Sequence, residues 1–349
     1  MRDAVFVVTG AAGHLGCYIV NKLLFLGKRV RALVLPGEKC PIFIDENRHL
    51  LMECTGNVCD PDSIASVFDD GAAVDGGAAV EFIVLHCAGI VSITKKEDRK
   101  VYDVNVGGTA NVVEACRKYN VKRLVYVSSV HAIPPLPRGQ VMREVKMFDP
   151  EAVPGYYDKT KAIATQLVLD AAQNGLDAVV VHPSGIIGPR GLPTGNMAQL
   201  ITRFVRGKLA AAIHGGFDFV DVRDVADGVI AAAANGKSGE CYILSNRFVD
   251  FMELFDTLSE ASALKRLKMY LPMRLARAFA PFAEVYYRLA HKTPVFTRYS
   301  LETVSGNALY SHDKASREFN YSTRPLKETL VDTVRWIKEG TRAPQQAMR

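Results

Sequence analysis

The chain has 349 residues, 48% hydrophobic and 23% charged, with Lys+Arg 43 against Asp+Glu 37 for a formal charge of +6. That is too apolar for a disordered chain, and long enough for one large core plus a subordinate lobe. Ordinary counts of Gly 27 and Pro 16 exclude a fibrous repeat, and the mild basic excess does not by itself imply nucleic acid.

Residues 4–9 form a short apolar run rich in β-branched side chains. Glycines follow at once, and then an apolar pattern runs through Tyr18, Ile19, Leu23, Leu24 and Leu26 until Gly27 stops it. This reads as strand, tight turn, helix. The stretch 4–21 lacks charged residues but also lacks a secretory cleavage pattern, so it reads as fold and not as a signal peptide. Val30–Leu35 reads as a second strand, and Gly71–Gly77 as a surface excursion before the fourth. Phe82–His86, Leu124–Ser129 and Ala178–His182 read as strands, separated by helices over Tyr102–Tyr119 and Tyr157–Gln173. This alternation predicts an α/β fold with a doubly wound, parallel, Rossmann-like sheet.

After His182 the rhythm weakens. Pro183–Pro193 reads as a loop, Asn196–Arg206 as a helix and Cys241–Leu244 as a strand; beyond Phe251 the chain reads as mostly helical. The expectation is a dinucleotide-binding domain over 1–182 and a smaller, mainly helical substrate lobe over 183–349 that returns to the core near 215–245. No run of 18 apolar residues offers a transmembrane helix. The segment 261–300 carries eight bases and one acid, leaving the rest of the chain at −1. It reads first as a lid with its basic side in water, and secondarily as a peripheral membrane contact or an anionic-substrate lid. Cys17, Cys40, Cys54, Cys59, Cys87, Cys116 and Cys241 contain no C-x-x-C pair and no clustered metal set. They read as small hydrophobes in a reducing, cytoplasmic setting, with no metal bound.

Two clusters carry chemistry. Thr9-Gly10-Ala11-Ala12-Gly13-His14-Leu15-Gly16 lies between the first strand and the first helix, where glycines let backbone approach a pyrophosphate and unpaired helix N–H groups face the anion. At the end of the second strand, where an acid selects NAD and an arginine NADP, stands Leu35. Arg31 and Lys39 are the nearby cations, so the reading is NAD or NADP with a slight lean to NADP. The second cluster is Tyr157 and Lys161, at i and i+4 on one helix face, with Ser128 and Ser129 ending the preceding strand. An ammonium beside a phenol favours phenolate, and a serine hydroxyl can donate to a developing oxyanion.

The order glycine turn, Ser129, Tyr157, Lys161 resembles the extended short-chain dehydrogenase/reductase superfamily, the NAD-dependent epimerase/dehydratase fold. Asn105 in Asn105-Val106-Gly107-Gly108-Thr109, Pro183-Ser184-Gly185-Ile186-Ile187-Gly188-Pro189-Arg190 and Val222-Arg223-Asp224-Val225-Ala226 match it too. The resemblance implies Ser129, Tyr157, Lys161 and Asn105 as catalytic residues. It adds Asn57, Val58, His86, Cys87, Ala88, Pro183, Gly185 and Ile186 to the glycine turn and Leu35 around the cofactor. Asn57 replaces the family's usual aspartate, and His182 stands where many sugar-nucleotide members carry arginine. The C-terminal half, with Thr293-Pro294-Val295-Phe296-Thr297 and Ser311-His312-Asp313-Lys314-Ala315, is similar to the dihydroflavonol-reductase and 3β-hydroxysteroid-dehydrogenase branch. That implies a dehydrogenase or reductase acting on a bulky, polycyclic small molecule.

A sugar-nucleotide epimerase with tightly held NAD is the alternative, and a catalytically silent dinucleotide-binding regulator a third reading. Val130 and His131 after Ser129, in place of an acidic pair, speak against a dehydratase. His131 reads as a loop histidine at the cavity margin or as a substrate or proton-relay group. No nucleic-acid partner is expected, and a homodimer is a family-level expectation.

Overall fold

Strand β1 (Val5–Thr9) is buried over its whole length, as an unbroken β-branched and aromatic run requires when both faces of a sheet are covered. It leads through the glycine turn into α1 (His14–Phe25), then β2 (Arg29–Val34), β3 (Leu51–Thr55), α2 (Pro61–Ala65) and β4 (Phe82–His86). Next come α3 (Arg99–Tyr102), a π turn at Asp103–Gly107, α4 (Gly108–Lys118), β5 (Arg123–Val127), α5 (Tyr156–Gln173) and β6 (Ala178–Pro183). Beyond them lie β7 (Gly185–Ile187), α6 (Asn196–Val205), β8 (Ala212–Ile213), β9 (Gly216–Asp221) and α7 (Val222–Asn235). The chain continues through β10 (Cys241–Leu244), β11 (Arg247–Asp250), α8 (Phe251–Ser262) and β12 (Tyr270–Leu271) to helices at Arg298–Ser305, Asp313–Phe319 and Leu326–Glu339. This computed structural model describes residues 4–68, 80–93, 95–190, 195–280 and 297–340. The excursion expected at 71–77, residues 281–296 of the basic segment and most of the 293–297 motif lie outside the described residues.

Seven parallel strands form the main sheet in the order β10-β6-β5-β4-β1-β2-β3. The order reverses between β1 and β4, which opens a crevice beyond their carboxyl ends. Thr9 and His86 pair at that rim, so the glycine turn leaves β1 at the switch point. Along β1 the side chains alternate: Val5 and Val7 join the core packed by α4, α5 and the lobe, Phe6 and Val8 the core packed by α1 and α7.

Two expectations change. The helix expected over Tyr102–Tyr119 is broken by the π turn at Asp103–Gly107, an irregularity that frequently marks a functional position. The region expected as a loop after Pro183 contains β7, which pairs in parallel with β9 in a separate three-stranded sheet, β11-β9-β7. Its Gly and Pro content hides a strand whose hydrogen-bond partners lie more than 30 residues away.

The Val222–Ala226 motif is an ion-pair hub. Arg223 meets Asp221 at 2.8 Å and Asp332 at 2.7 Å, and Arg324 meets Asp224 at 2.7 Å, so α7 is tied to the helix Leu326–Glu339. Among the described residues no group of His, Cys, Asp and Glu could hold a metal, and no helix is long and apolar enough to cross a membrane.

Candidate active site

The glycine turn is shaped by contacts that no side chain would fit. Gly10 has φ +66°, and a Cβ there would lie 2.8 Å from the Ala88 backbone; at Gly16 it would lie 2.2 Å from the Gly10 carbonyl oxygen. Gly13 caps α1 without a side-chain hydrogen bond, and the first turn holds no acid, so the helix N-terminus offers free N–H groups and no competing charge. Ala12, Gly13, His14 and Leu15 are half-buried along this edge. These residues fit the pyrophosphate of a dinucleotide.

Several proposed cofactor residues are committed elsewhere. His14 bonds the Pro189 carbonyl through Nε2 at 2.9 Å, fastening α1 to the loop after β7, and burial lowers its pKa. His86 is fully buried between Thr9 Oγ1 at 2.7 Å and Thr109 Oγ1 at 3.1 Å, with burial pushing its pKa down to about 3. Half-buried Cys87 and Ala88 follow it along the turn. Leu35 is exposed at the end of β2. Arg31 donates to the Val67 carbonyl at 2.7 Å and lies over the Phe82 ring, which removes it as a phosphate partner. Asn57 is exposed and accepts from Cys59 N–H, while buried Val58 packs on Gly108 and its carbonyl is held by Asn111. Pro183 ends β6, and Gly185 and Ile186 are half-buried in β7.

Ser129, Tyr157, Lys161 and Asn105 come together at the rim of β4 and β5. The Tyr157 phenol is buried beside Ser129, whose Oγ accepts from His131 N–H at 3.2 Å. Burial raises the Tyr157 pKa, and the neighbouring Ser129 hydroxyl lowers it. Lys161 Nζ donates to the Val127 carbonyl at 2.9 Å and to Tyr126 OH at 3.3 Å, and burial pulls its pKa down to about 8. Asn105, in the π turn, accepts from Ile90 N–H at 2.8 Å and donates to the Ile90 carbonyl and to Thr160 Oγ1. It fixes the backbone beside Gly89, which also borders Lys161 Nζ.

On the substrate side three residues escaped the sequence reading. Asp158, buried next to Tyr157, accepts from Gly155 N–H at 2.9 Å and from Tyr299 OH at 2.5 Å. Phe217 stacks on His131 with 5.5 Å between centroids. Asp158 stood inside the quoted Tyr157–Lys161 stretch, but its partner Tyr299 is 141 residues away, a distance no local pattern bridges. His182 is buried, accepts from no side chain among the described residues, and contacts the Ser129 carbonyl through Nδ1 at 2.9 Å while stacking on Phe148.

A glycine turn at the switch point of a parallel sheet, facing a buried Ser–Tyr–Lys set, defines a nicotinamide-dinucleotide enzyme of the Rossmann class. The chain belongs to the NAD dependent epimerase/dehydratase family, whose model matches residues 6–245. It is 27% identical over 337 residues to sterol demethylase protein B of Methylococcus capsulatus, covering 95% of this chain and 98% of that one. It is 30% identical over 370 residues to mouse 3 beta-hydroxysteroid dehydrogenase type 7, covering 96% and 95%. Among solved structures, the UDP-glucose 4-epimerase of Thermotoga maritima shares the fold with a TM-score of 0.73 at 20% identity, covering 96% and 99%. The chain is an NAD(P)-dependent dehydrogenase/reductase of this family.

Proposed function

We propose that the protein interconverts a secondary alcohol and a carbonyl of a small-molecule substrate, with Tyr157 as the proton donor and acceptor. The observation that carries this is the buried Tyr157 phenol and Ser129 hydroxyl with the Lys161 ammonium held at the same rim by the Val127 carbonyl. A nicotinamide bound across the glycine turn supplies or takes the hydride. In reduction Tyr157, held protonated by burial, gives its proton to the substrate oxygen, and Ser129 donates a hydrogen bond to the same oxygen. Lys161 holds positive charge beside the site, and Asn105 keeps the Ile90 backbone in place behind it. In oxidation the proton moves the other way. A silent dinucleotide-binding regulator would need no such buried phenol.

The substrate class has two readings. The family model carries an epimerase's name and the fold neighbour is a UDP-glucose 4-epimerase, which gives the sugar-nucleotide epimerase wider support. The bulky hydroxysteroid- or dihydroflavonol-like ketone is supported by the names of the sterol and hydroxysteroid relatives and by Phe217, which stacks on His131 and meets the Tyr310 ring edge-on. Of the two cations behind the lean to NADP, Arg31 donates to the Val67 carbonyl and Lys39 stands exposed after β2. Intact mass measurement of the purified protein separates the readings: retained oxidised NAD marks the epimerase, exchangeable NADPH the reductase. Tyr157→Phe is expected to lose at least about 1,000-fold in turnover while still binding dinucleotide. Turnover near wild type in that variant, read by absorbance at the nicotinamide band, removes the proposal.

A further inference from the structure

Next to the catalytic rim sits a second polar cluster that the proposed reaction does not use. His131 lies two residues past Ser129, with its ring stacked on Phe217 and edge-on to Tyr157 at 6.0 Å between centroids. Its Nδ1 is 3.3 Å from Asp158 Oδ1 and 3.5 Å from the Tyr299 oxygen. The Tyr299 phenol has one proton, and it is donated to Asp158 Oδ1 at 2.5 Å. The Asp158 carboxylate has none to give, and its Oδ2 is taken by Gly155 N–H. Both atoms facing Nδ1 are therefore acceptors, so Nδ1 must carry the proton, and in the neutral ring Nε2 is left bare. No described residue partners Nε2, although the His131 side chain is a quarter exposed while Asp158 is 2% exposed.

We propose that Asp158 and Tyr299 are positioning residues that hold His131 with a bare Nε2 toward the substrate, where it accepts a hydrogen bond from a hydroxyl beside the reacting carbon. A buried carboxylate that fixes the tautomer of an imidazole is a recurrent device of active sites. Here it turns one nitrogen into an acceptor that no N–H or O–H of the described residues satisfies. A substrate hydroxyl satisfies it, and a substrate lacking that hydroxyl leaves it unpaired in a largely buried site, which is a strong basis for discrimination. The other groups around the ring are the Tyr157 phenol, the Ser129 hydroxyl, which accepts from the His131 backbone N–H at 3.2 Å, and the apolar Phe217. The assignment rests on the alcohol–carbonyl reading only in taking this cavity as the substrate site.

The test reads the ring directly. In histidine-labelled full-length protein, with the His131 signal assigned by its loss in His131→Gln, long-range proton–nitrogen spectra report which nitrogen carries hydrogen. The wild type is expected to show protonated Nδ1 and bare Nε2. In Asp158→Asn the amide oxygen stays on Gly155 N–H and the amide NH2 turns to the ring, so the proton is expected to move to Nε2. A wild-type ring protonated on Nε2 alone, or a tautomer unchanged in Asp158→Asn, overturns the positioning role. Tyr299→Phe removes one acceptor but keeps the carboxylate, and is expected to keep the wild-type tautomer. A flip there assigns the orientation to Tyr299 and overturns the role given to Asp158.

The substrate side uses benzoin, an α-hydroxyketone, against deoxybenzoin, its analogue without the hydroxyl. Benzoin is expected to shift the Nε2 signal at least several-fold more than deoxybenzoin at equal concentration. Equal responses, including none to either, remove the proposed recognition of a hydroxyl. None of these readings requires turnover, so failure of the alcohol–carbonyl reading in Tyr157→Phe remains a separate result.

Discussion

The cofactor side and the substrate side of this crevice are built by different means. Around the glycine turn, shape comes from backbone: Gly10 against Ala88, Gly16 against Gly10, and an uncapped α1, all within a few residues of one another or at one strand pair. Across the cleft, shape comes from side chains gathered from distant elements. His131 follows β5, Asp158 opens α5, Phe217 lies in β9 and Tyr299 comes from a helix near the C-terminus. A backbone-built site tolerates almost no substitution at its glycines, whereas a side-chain-built one can be retuned residue by residue.

The sharpest way to break that comparison is Gly16→Ala. A single methyl would sit 2.2 Å from a backbone oxygen that cannot move away without opening the turn. No measurable binding of NADH or NADPH is expected by calorimetry, a loss of more than about 100-fold if the turn distorts instead of yielding. Binding within a few-fold of wild type would show the turn to be softer than its contacts imply.

On the catalytic face, Lys161→Met is expected to cost about 100-fold in turnover, since the charge beside the phenol is lost. The Lys161 pKa is pulled down to about 8, so the ammonium is present below that value and is lost above it. Wild-type turnover should therefore fall as pH rises through about 8, and the variant should lack that limb in a pH–rate series.

Smaller effects concern the scaffold beneath the substrate side. Arg223 is buried between Asp221 and Asp332, so Arg223→Met leaves buried Asp221 with only the more distant Arg324 at 3.8 Å and is expected to destabilise by about 3 kcal/mol in urea melts. Asp218 is buried, with Oδ1 accepting from Ser184 Oγ and Asn246 N–H, and burial raises its pKa from 3.8 to about 6. The folded state thus prefers the protonated acid. That stabilisation is complete below about pH 4 and is lost as pH rises through about 6. Asp218→Asn keeps the two hydrogen bonds and is expected to gain about 2 kcal/mol at pH 7 over wild type, with no gain at pH 4.

What the sequence made legible follows the same division. The strands at Phe82–His86 and Cys241–Leu244 and the helix at Tyr157–Gln173 carry their periodicity locally, and they appear where expected within a residue. Gly10, Gly13 and Gly16, and Tyr157 with Lys161, announce themselves by short spacings. The π turn at Asp103–Gly107 does not, because the side-chain bonds of Asn105 to Ile90 that accompany it join residues 15 apart. Strand β7 stayed hidden for a related reason: three residues between a proline and a glycine become a strand only when β9 arrives to pair with them. Arg31 looked available for a phosphate because its true partner, the Val67 carbonyl, lies 36 residues on.

The bond from Tyr299 to Asp158 has a consequence for how such an enzyme can change its diet over evolutionary time. One end belongs to the helix that carries Tyr157 and Lys161, the other to the C-terminal region. A recombinant that imported the C-terminal region from a relative lacking this phenol would bring a new pocket wall but leave a buried carboxylate short of one donor. New specificity is therefore reached more readily by paired replacements on both sides of the cleft than by wholesale exchange of one half.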